Sequence, residues 1–198
     1  MIRIKLCGVR TVADALLCAA EGADEIGVVF VEGSKRRVSL ETAKQIRAAL
    51  PPAVPLVGVF RDAPLDEVLR VARAAGLAAA QLHGSWPAAT ADLPLYAALQ
   101  VSGPESLQAR PGAARVLLDG PAGGSGKSFD WGLASQARKL VQVELFVGGG
   151  LTPDNVAQAI DQARPDGVDV ASGIEGPDGF KDPAKVRALV RAAKGPFK

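Results

Sequence analysis

The stretch Phe146-Val-Gly-Gly-Gly-Leu-Thr-Pro-Asp-Asn155 decides how the rest of this chain is arranged. It closes an apolar, β-branched run at residues 141–147 that reads as a buried strand. Three glycines follow at once. Thr152-Pro153-Asp154 then reads as a helix start, with Thr152 as N-cap and Pro153 in the first helical position. A strand that breaks into glycines before a helix exposes several backbone N–H groups, and with the helix dipole these suit a phosphate. Glycine matters because a Cβ would hold the anion away from the backbone. A tight strand-to-helix turn without a ligand fits the same residues.

One helix-length further on, Gly167-Val-Asp-Val-Ala-Ser-Gly173 repeats the pattern of an apolar strand ending in small residues. In an eight-fold β/α barrel the loops after strands seven and eight together commonly bind a phosphate. Six earlier units are then required, and the chain supplies them. Strands are expected at residues 2–7, 25–30, 55–60, 78–83, 94–101 and 114–119, ahead of those at 141–147 and 167–170. Helices are expected at 12–21, 40–50, 65–75, 86–92, 129–140, 153–162 and 183–193, with a helical turn or two at 103–110. Thr11 and Ser39 stand as N-caps, and Gly22 and Gly76 as helix ends. This alternation argues for parallel strands with right-handed crossovers. Eight apolar strands favour a closed barrel over an open doubly wound sheet. The expectation is therefore an α/β chain forming one domain over residues 1–198, a compact (β/α)8 TIM barrel shortened around strands and helices four and five. Its length sits at the small end for barrels, roughly 200 residues upward.

Composition narrows the function classes. Apolar residues make up 48% and aromatic residues 5%, so the core must be aliphatic. A net charge of +2, from 23 basic and 21 acidic residues, gives no electrostatic case for a nucleic-acid binder or a membrane-surface protein. Cys7 and Cys18 lack metal-type spacing and have one histidine to help them, so neither a metal site nor a disulfide is expected. Free thiols suit the cytoplasm. The chain opens on a strand-like run, with no expected leader and no apolar run long enough to span a bilayer.

In a barrel, chemistry sits at the C-terminal ends of the strands. Those ends carry Cys7, Arg36 in the loop after strand two, Arg61 and Asp62, Gln81 and His83, Asp119, and Asp169 with Ser172. Cys7 and Asp119 each end an apolar strand and should point into the barrel mouth, where a thiol and a carboxyl can act as base and acid. The thiol, with an ordinary pKa of about 8.5, would need lowering. Desolvation would raise the carboxyl towards use as an acid. Cys7 also fits a small buried hydrophobe, as Cys18 does, and Asp119 fits a loop cap. Arg36 can clamp a carboxylate bidentately or lie in solvent with Lys35 and Arg37. His83 fits either a polar group near substrate or a hydrogen-bonded structural histidine. Gly123-Gly-Ser-Gly-Lys-Ser128 is not a nucleotide-binding loop, because Pro121 stands where that pattern needs glycine; a flexible lid at residues 120–127 fits better.

Taken together these residues resemble the phosphoribosylanthranilate isomerase family of tryptophan biosynthesis. The resemblance is carried by Lys5-Leu-Cys-Gly8, Ala23-Asp-Glu-Ile-Gly-Val-Val-Phe30, Ser34-Lys-Arg36, Val57-Gly-Val-Phe60, Gln81-Leu-His-Gly84, Leu117-Leu-Asp119, the 123–131 segment, Gly149-Gly-Leu-Thr-Pro-Asp-Asn155 and Val168-Asp-Val-Ala-Ser-Gly-Ile-Glu175. It implies a (β/α)8 barrel and a cofactor- and metal-independent Amadori rearrangement of a phosphosugar. It further implies Cys7 as general base, Asp119 as general acid, Arg36 facing a substrate carboxylate, and Gly149, Gly150, Ser172 and Gly173 gripping the phosphate. His83 and Asp169 match polar residues lining the pocket. A monomer or a homodimer is implied, with neither nucleic acid nor membrane as partner. The chain departs from the family pattern at Gly148, where Ala or Ser is common, at Lys35, where Pro is common, and at strand five, where Ala97 and Ala98 occupy the region of a frequent lysine. Two alternatives remain open: another phosphosugar isomerase or epimerase barrel, and a catalytically idle phosphosugar binder.

Overall fold

The computed structural model describes residues 1–89, 91–108, 110–120 and 131–195. Eight strands form a closed parallel barrel in chain order: β1 (Arg3–Leu6), β2 (Glu25–Val29), β3 (Leu56–Arg61), β4 (Ala79–His83), β5 (Leu95–Gln100), β6 (Arg115–Asp119), β7 (Glu144–Val147) and β8 (Gly167–Val170). Closure comes from β1 pairing with β8, with Arg3 opposite Gly167 and Leu6 opposite Val170. Among the described residues six α-helices cover the sheet: α1 (Val12–Ala20), α2 (Leu40–Ala49), α3 (Leu65–Ala75), α4 (Gly132–Leu140), α5 (Val156–Ala163) and α6 (Pro183–Lys194).

Period-two alternation sorts the strands into two faces. Ile4, Leu6, Ile26, Val28, Leu118 and Val168 belong to one continuous aliphatic core shared with the helices. The intervening residues point inward and are of a different kind. Two small apolar clusters, Cys7 with Val29 and Val59, and Ala98 with Leu117 and Phe146, sit among the buried charges Lys5, Glu25 and Arg115. The aliphatic core expected from composition is thus the outer layer. The barrel interior is charged, because eight short strands enclose a space that long polar side chains fill and pair across.

The N-caps at α1 and α2 are as the sequence indicates: Thr11 Oγ1 accepts from Asp14 N–H at 3.1 Å, and Ser39 Oγ from Thr42 N–H at 3.0 Å. Gly76 ends α3 in the left-handed region at φ 63°. Two expectations are corrected, the helix at 86–92 and the helix start at Pro153. No helix forms over the described part of 86–92. Pro87 and Pro94 leave too few residues between them to offset helix nucleation. Instead Trp86, Ala91, Leu93 and Leu107 pack onto the core from irregular backbone, and the Trp86 indole donates to the Pro111 carbonyl at 3.0 Å. The described part of 103–110 holds a 3₁₀ turn, Pro104–Ser106, in keeping with the turn or two expected there. Helix α5 begins at Val156, after the turn at Thr152-Pro153-Asp154. Asn155 organises that turn: its Oδ1 accepts from Thr152 N–H at 2.8 Å, and its Nδ2 donates to the Gly150 carbonyl at 3.0 Å. Beyond Gly120, the lid expected at 120–127 lies outside the described residues.

Candidate active site

The inward-facing residues at the C-terminal ends of the strands converge on one cavity of about 310 Å³. Cys7, Val29, Arg61, His83, Asp119, Gly148 and Ala171 form its floor and rim, and the loop after β2 overhangs it with Ser34 and Arg36. Two-residue periodicity puts them there, since each lies an even number of positions from an inward neighbour on its own strand.

Cys7 continues β1, its N–H donating to the Val170 carbonyl at 2.8 Å. The residue is 7% exposed, and its thiol packs beside Gly27, where a Cβ would come within 2.7 Å of Sγ. Burial pushes the thiol up, while Lys5 and then Lys181 act against that rise. Asp119 ends β6, and its Oδ1 accepts from Gly120 N–H at 2.9 Å. Burial and then the charge of Asp169 raise its carboxyl to about 6. Asp169, on β8, lines the same cavity and accepts from Lys5 Nζ at 2.8 Å.

Arg36 is not a solvated loop residue. Its guanidinium is held by Glu175, with Nε donating to Oε1 at 2.5 Å and Nη2 to Oε2 at 2.9 Å. Among the described residues its Nη1 has no partner, so the fork is fixed in orientation with one end left for an anion in the cavity. His83, at the end of β4, lies 3.0 Å from the Gln81 amide nitrogen through Nε2. An amide nitrogen only donates, so Nε2 accepts and Nδ1 carries the proton. That Nδ1 is buried and has no partner among the described residues. Burial lowers the ring's pKa to about 4, and the nearby Arg61 adds to this, so the histidine is neutral at pH 7.

The loops after β7 and β8 meet at the cavity edge. Gly149 and Gly150 adopt φ of 75° and 69°, conformations that turn their backbone into the cavity and that L-residues rarely hold. Ser172 lines the cavity beside them, at the start of a 3₁₀ turn, Ser172–Ile174. Gly173 does not line it. A Cβ there would run into the Leu151 carbonyl, so this glycine lets the two loops touch. Among the described residues the backbone N–H groups of Gly149, Gly150, Leu151, Ser172 and Gly173 have no acceptor. Of the strand-end residues considered from sequence, Asp62 turns away and accepts from Ser85 N–H and Oγ, both at 2.9 Å.

Three charged residues that bear on the site were not singled out from sequence: Lys5, Glu175 and Lys181. Lys5 is two positions before Cys7 and so shares its face, a signal present in the sequence. Glu175 and Lys181 come together across an isolated bridge, which no spacing rule announces. Among the described residues no cluster of His, Cys, Asp and Glu is arranged to hold a metal, and no helix is long and apolar enough to cross a membrane.

A thiol, a carboxyl near neutrality, a fixed guanidinium and a cluster of free N–H groups around one cavity suit proton transfers on a substrate with two anionic ends. Comparison with known proteins points the same way. The model of the N-(5'-phosphoribosyl)anthranilate (PRA) isomerase family matches residues 4–192. N-(5'-phosphoribosyl)anthranilate isomerase of Deinococcus radiodurans is 43% identical over 98% of this chain and 97% of its own. The crystal structure of phosphoribosyl anthranilate isomerase from Thermus thermophilus superposes with a TM-score of 0.88 at 38% identity, covering 98% of both chains. A phosphoribosyl anthranilate isomerase in complex with reduced 1-(o-carboxyphenylamino)-1-deoxyribulose 5-phosphate gives a TM-score of 0.86 at 36% identity, covering 98% of this chain and 99% of that one. With its full-length relatives, its barrel and the convergence of its charged strand ends in agreement, the chain belongs to the N-(5'-phosphoribosyl)anthranilate isomerase family.

Proposed function

We propose that this protein converts N-(5-phosphoribosyl)anthranilate into 1-(2-carboxyphenylamino)-1-deoxyribulose 5-phosphate, the isomerisation of its family in tryptophan biosynthesis, with Cys7 as general base and Asp119 as general acid. The observation that carries this reading is the placement of a buried thiol and a carboxyl of pKa about 6 on the wall of one cavity. Asp119 gives its proton to the furanose ring oxygen, and the C1–O bond breaks to leave the C1 imine. Cys7 removes the proton from C2, and the electron pair moves to form the enolamine. The enol then returns its proton to C1 as the C2 ketone forms, so the step is an internal redox exchange that needs no external oxidant or reductant. The N–H groups at Gly149, Gly150 and Ser172 support binding of the 5-phosphate, with Gly173 holding the two loops together. The free end of Arg36 supports binding of the anthranilate carboxylate. His83 offers a neutral N–H, and Asp169 faces the sugar while it pairs with Lys5. These contacts fix the reacting carbons between acid and base, which converts binding energy into orientation.

The buried, unpaired thiols Cys7 and Cys18 support a cytoplasmic setting. One relative, from Thermotoga maritima, is described as dimeric; a monomer or homodimer is proposed here.

The test follows the loss of anthranilate-type fluorescence when freshly generated phosphoribosylanthranilate is mixed with the protein. Wild type turns over. Cys7→Ala and Asp119→Asn, folded by circular dichroism, lose at least about a thousandfold in kcat. A folded wild type that binds the carboxyphenylamino-deoxyribulose phosphate without turning over substrate would replace this reading with an idle phosphosugar binder.

A further inference from the structure

We propose that Lys5 is a positioning residue that eases formation of the Cys7 thiolate, by closing a buried ring of charge that the thiolate completes. Lys5 is 1% exposed and is not among the residues that line the active-site cavity, so it acts through Cys7. It sits on the same inward face of β1, two residues before the cysteine, and its charge opposes the rise that burial causes in the thiol.

The ring is assembled from several of the elements packed around the thiol. From β8 comes Asp169, which accepts from Lys5 Nζ at 2.8 Å. From the chain beyond β8 come Glu175 and Lys181, 3.3 Å apart, with Lys181 Nζ also donating to the Ala171 carbonyl at 3.0 Å. The loop after β2 brings Arg36 onto Glu175. From β2 itself Gly27 brings no charge, and Glu25 on that strand is already engaged by Arg115 and Arg3. Burial pushes the Cys18 thiol of α1 up to about 12, so it stays neutral. Across the cavity stand Asp119, His83 and Arg61. Lys5, Lys181 and Arg36 thus face Asp169 and Glu175, leaving one more positive charge than negative. An anion at Cys7 balances the ring; a neutral thiol does not.

The lysine itself is a permanent charge. Burial works against its ammonium, but Asp169 and Cys7 outweigh this and raise its pKa above the usual range. It therefore does not titrate with the base it supports. Asp169 has opposite effects on the two: it stabilises Lys5 and opposes the thiolate.

This inference rests on the assignment of Cys7 as base. The test uses the full chain with Cys18→Ala, so that Cys7 is the one thiol, and measures iodoacetamide alkylation rate against pH alongside kcat and KM. Lys5→Met moves the alkylation profile up by about one pH unit or more and lowers kcat about tenfold per unit, while KM stays within about threefold. Lys5→Arg restores the profile and most of kcat. Asp169→Asn moves the profile down, which keeps the test decisive if Lys5→Met does not fold. An unchanged profile in folded Lys5→Met, or an unchanged or upward profile in Asp169→Asn, overturns the proposal. Wild-type turnover by Cys7→Ala would instead refute the base assignment, and the alkylation profiles would still decide whether Lys5 governs the thiol.

Discussion

Asp119 carries a cost that shows how the site is tuned. Its carboxyl is raised from the usual 3.8 to about 6. Between those values the folded state binds more protons than the unfolded state, so this group's contribution to stability falls as pH rises through the window. At pH 7 the buried carboxylate therefore opposes folding. Asp119→Asn, whose amide oxygen still accepts from Gly120, is expected to abolish turnover and to raise stability at pH 7 by ~1–3 kcal/mol, with no gain at pH 3, read from urea unfolding. His83 works the other way. Lowered from 6.5 to about 4, it stays neutral in the fold while the unfolded chain takes up a proton, so stability falls as pH drops through that window. The placement of Cys7, Asp119 and His83 at the cavity was legible in the sequence because each lies at or just beyond the end of an apolar strand, and that of Arg36 because it stands in the loop after β2. The grip of Glu175 on Arg36 was not, since 139 residues separate them and only the closed barrel brings them together.

The strands carry a constraint that works through glycine. Gly27 is inside β2 with no turn to make, and its side of the strand is filled by Cys7. Gly27→Ala drives a methyl group into Sγ and the β1 backbone. It is expected to cost ~1–3 kcal/mol in stability and to lower kcat by about tenfold or more, with a smaller change in KM, as measured by urea unfolding and steady-state kinetics. Gly167 plays the same part for the Phe146 ring, where a Cβ would lie 2.6 Å from Cε1. At this scale the sequence was readable where a capping residue precedes a clear helical run, as at Thr11 and Ser39. It misled where a short apolar run lay between prolines, because 86–92 contributes burial without a helix. It also misled at Thr152, because Asn155 takes the organising role that a Thr-Pro pair usually signals.

Across the whole molecule the barrel is plugged at the end away from the cavity by a charge cluster. Arg115 lies with its guanidinium 3.8 Å from the Phe146 ring centroid and 4.1 Å from that of Tyr96. It donates to Glu25 at 2.7 and 2.8 Å and to Glu144 at 2.8 Å, and Arg3 joins both carboxylates. The cluster links β1, β2, β6 and β7 across the interior. Arg115→Met leaves the fully buried Glu25 with too little compensation. It is expected to destabilise by ~3–5 kcal/mol, lowering the urea midpoint, while correctly folded protein keeps its kcat. Breaking the exposed Arg37–Glu32 pair should leave the midpoint unmoved. The eight-fold closure was legible from the count and alternation of strands. The charged interior was not, because a composition rich in aliphatic residues says nothing about which layer they occupy.

The claim that a thiol and a carboxyl share the proton traffic is tested most directly by the pH dependence of kcat/KM. The reactive form pairs thiolate with neutral acid, and it is a constant minor fraction of all singly protonated forms of the pair. A plateau is therefore expected, bounded below by a limb near pH 6 and above by a limb beyond the ordinary thiol range. A profile flat from pH 5 to beyond that thiol range would contradict it.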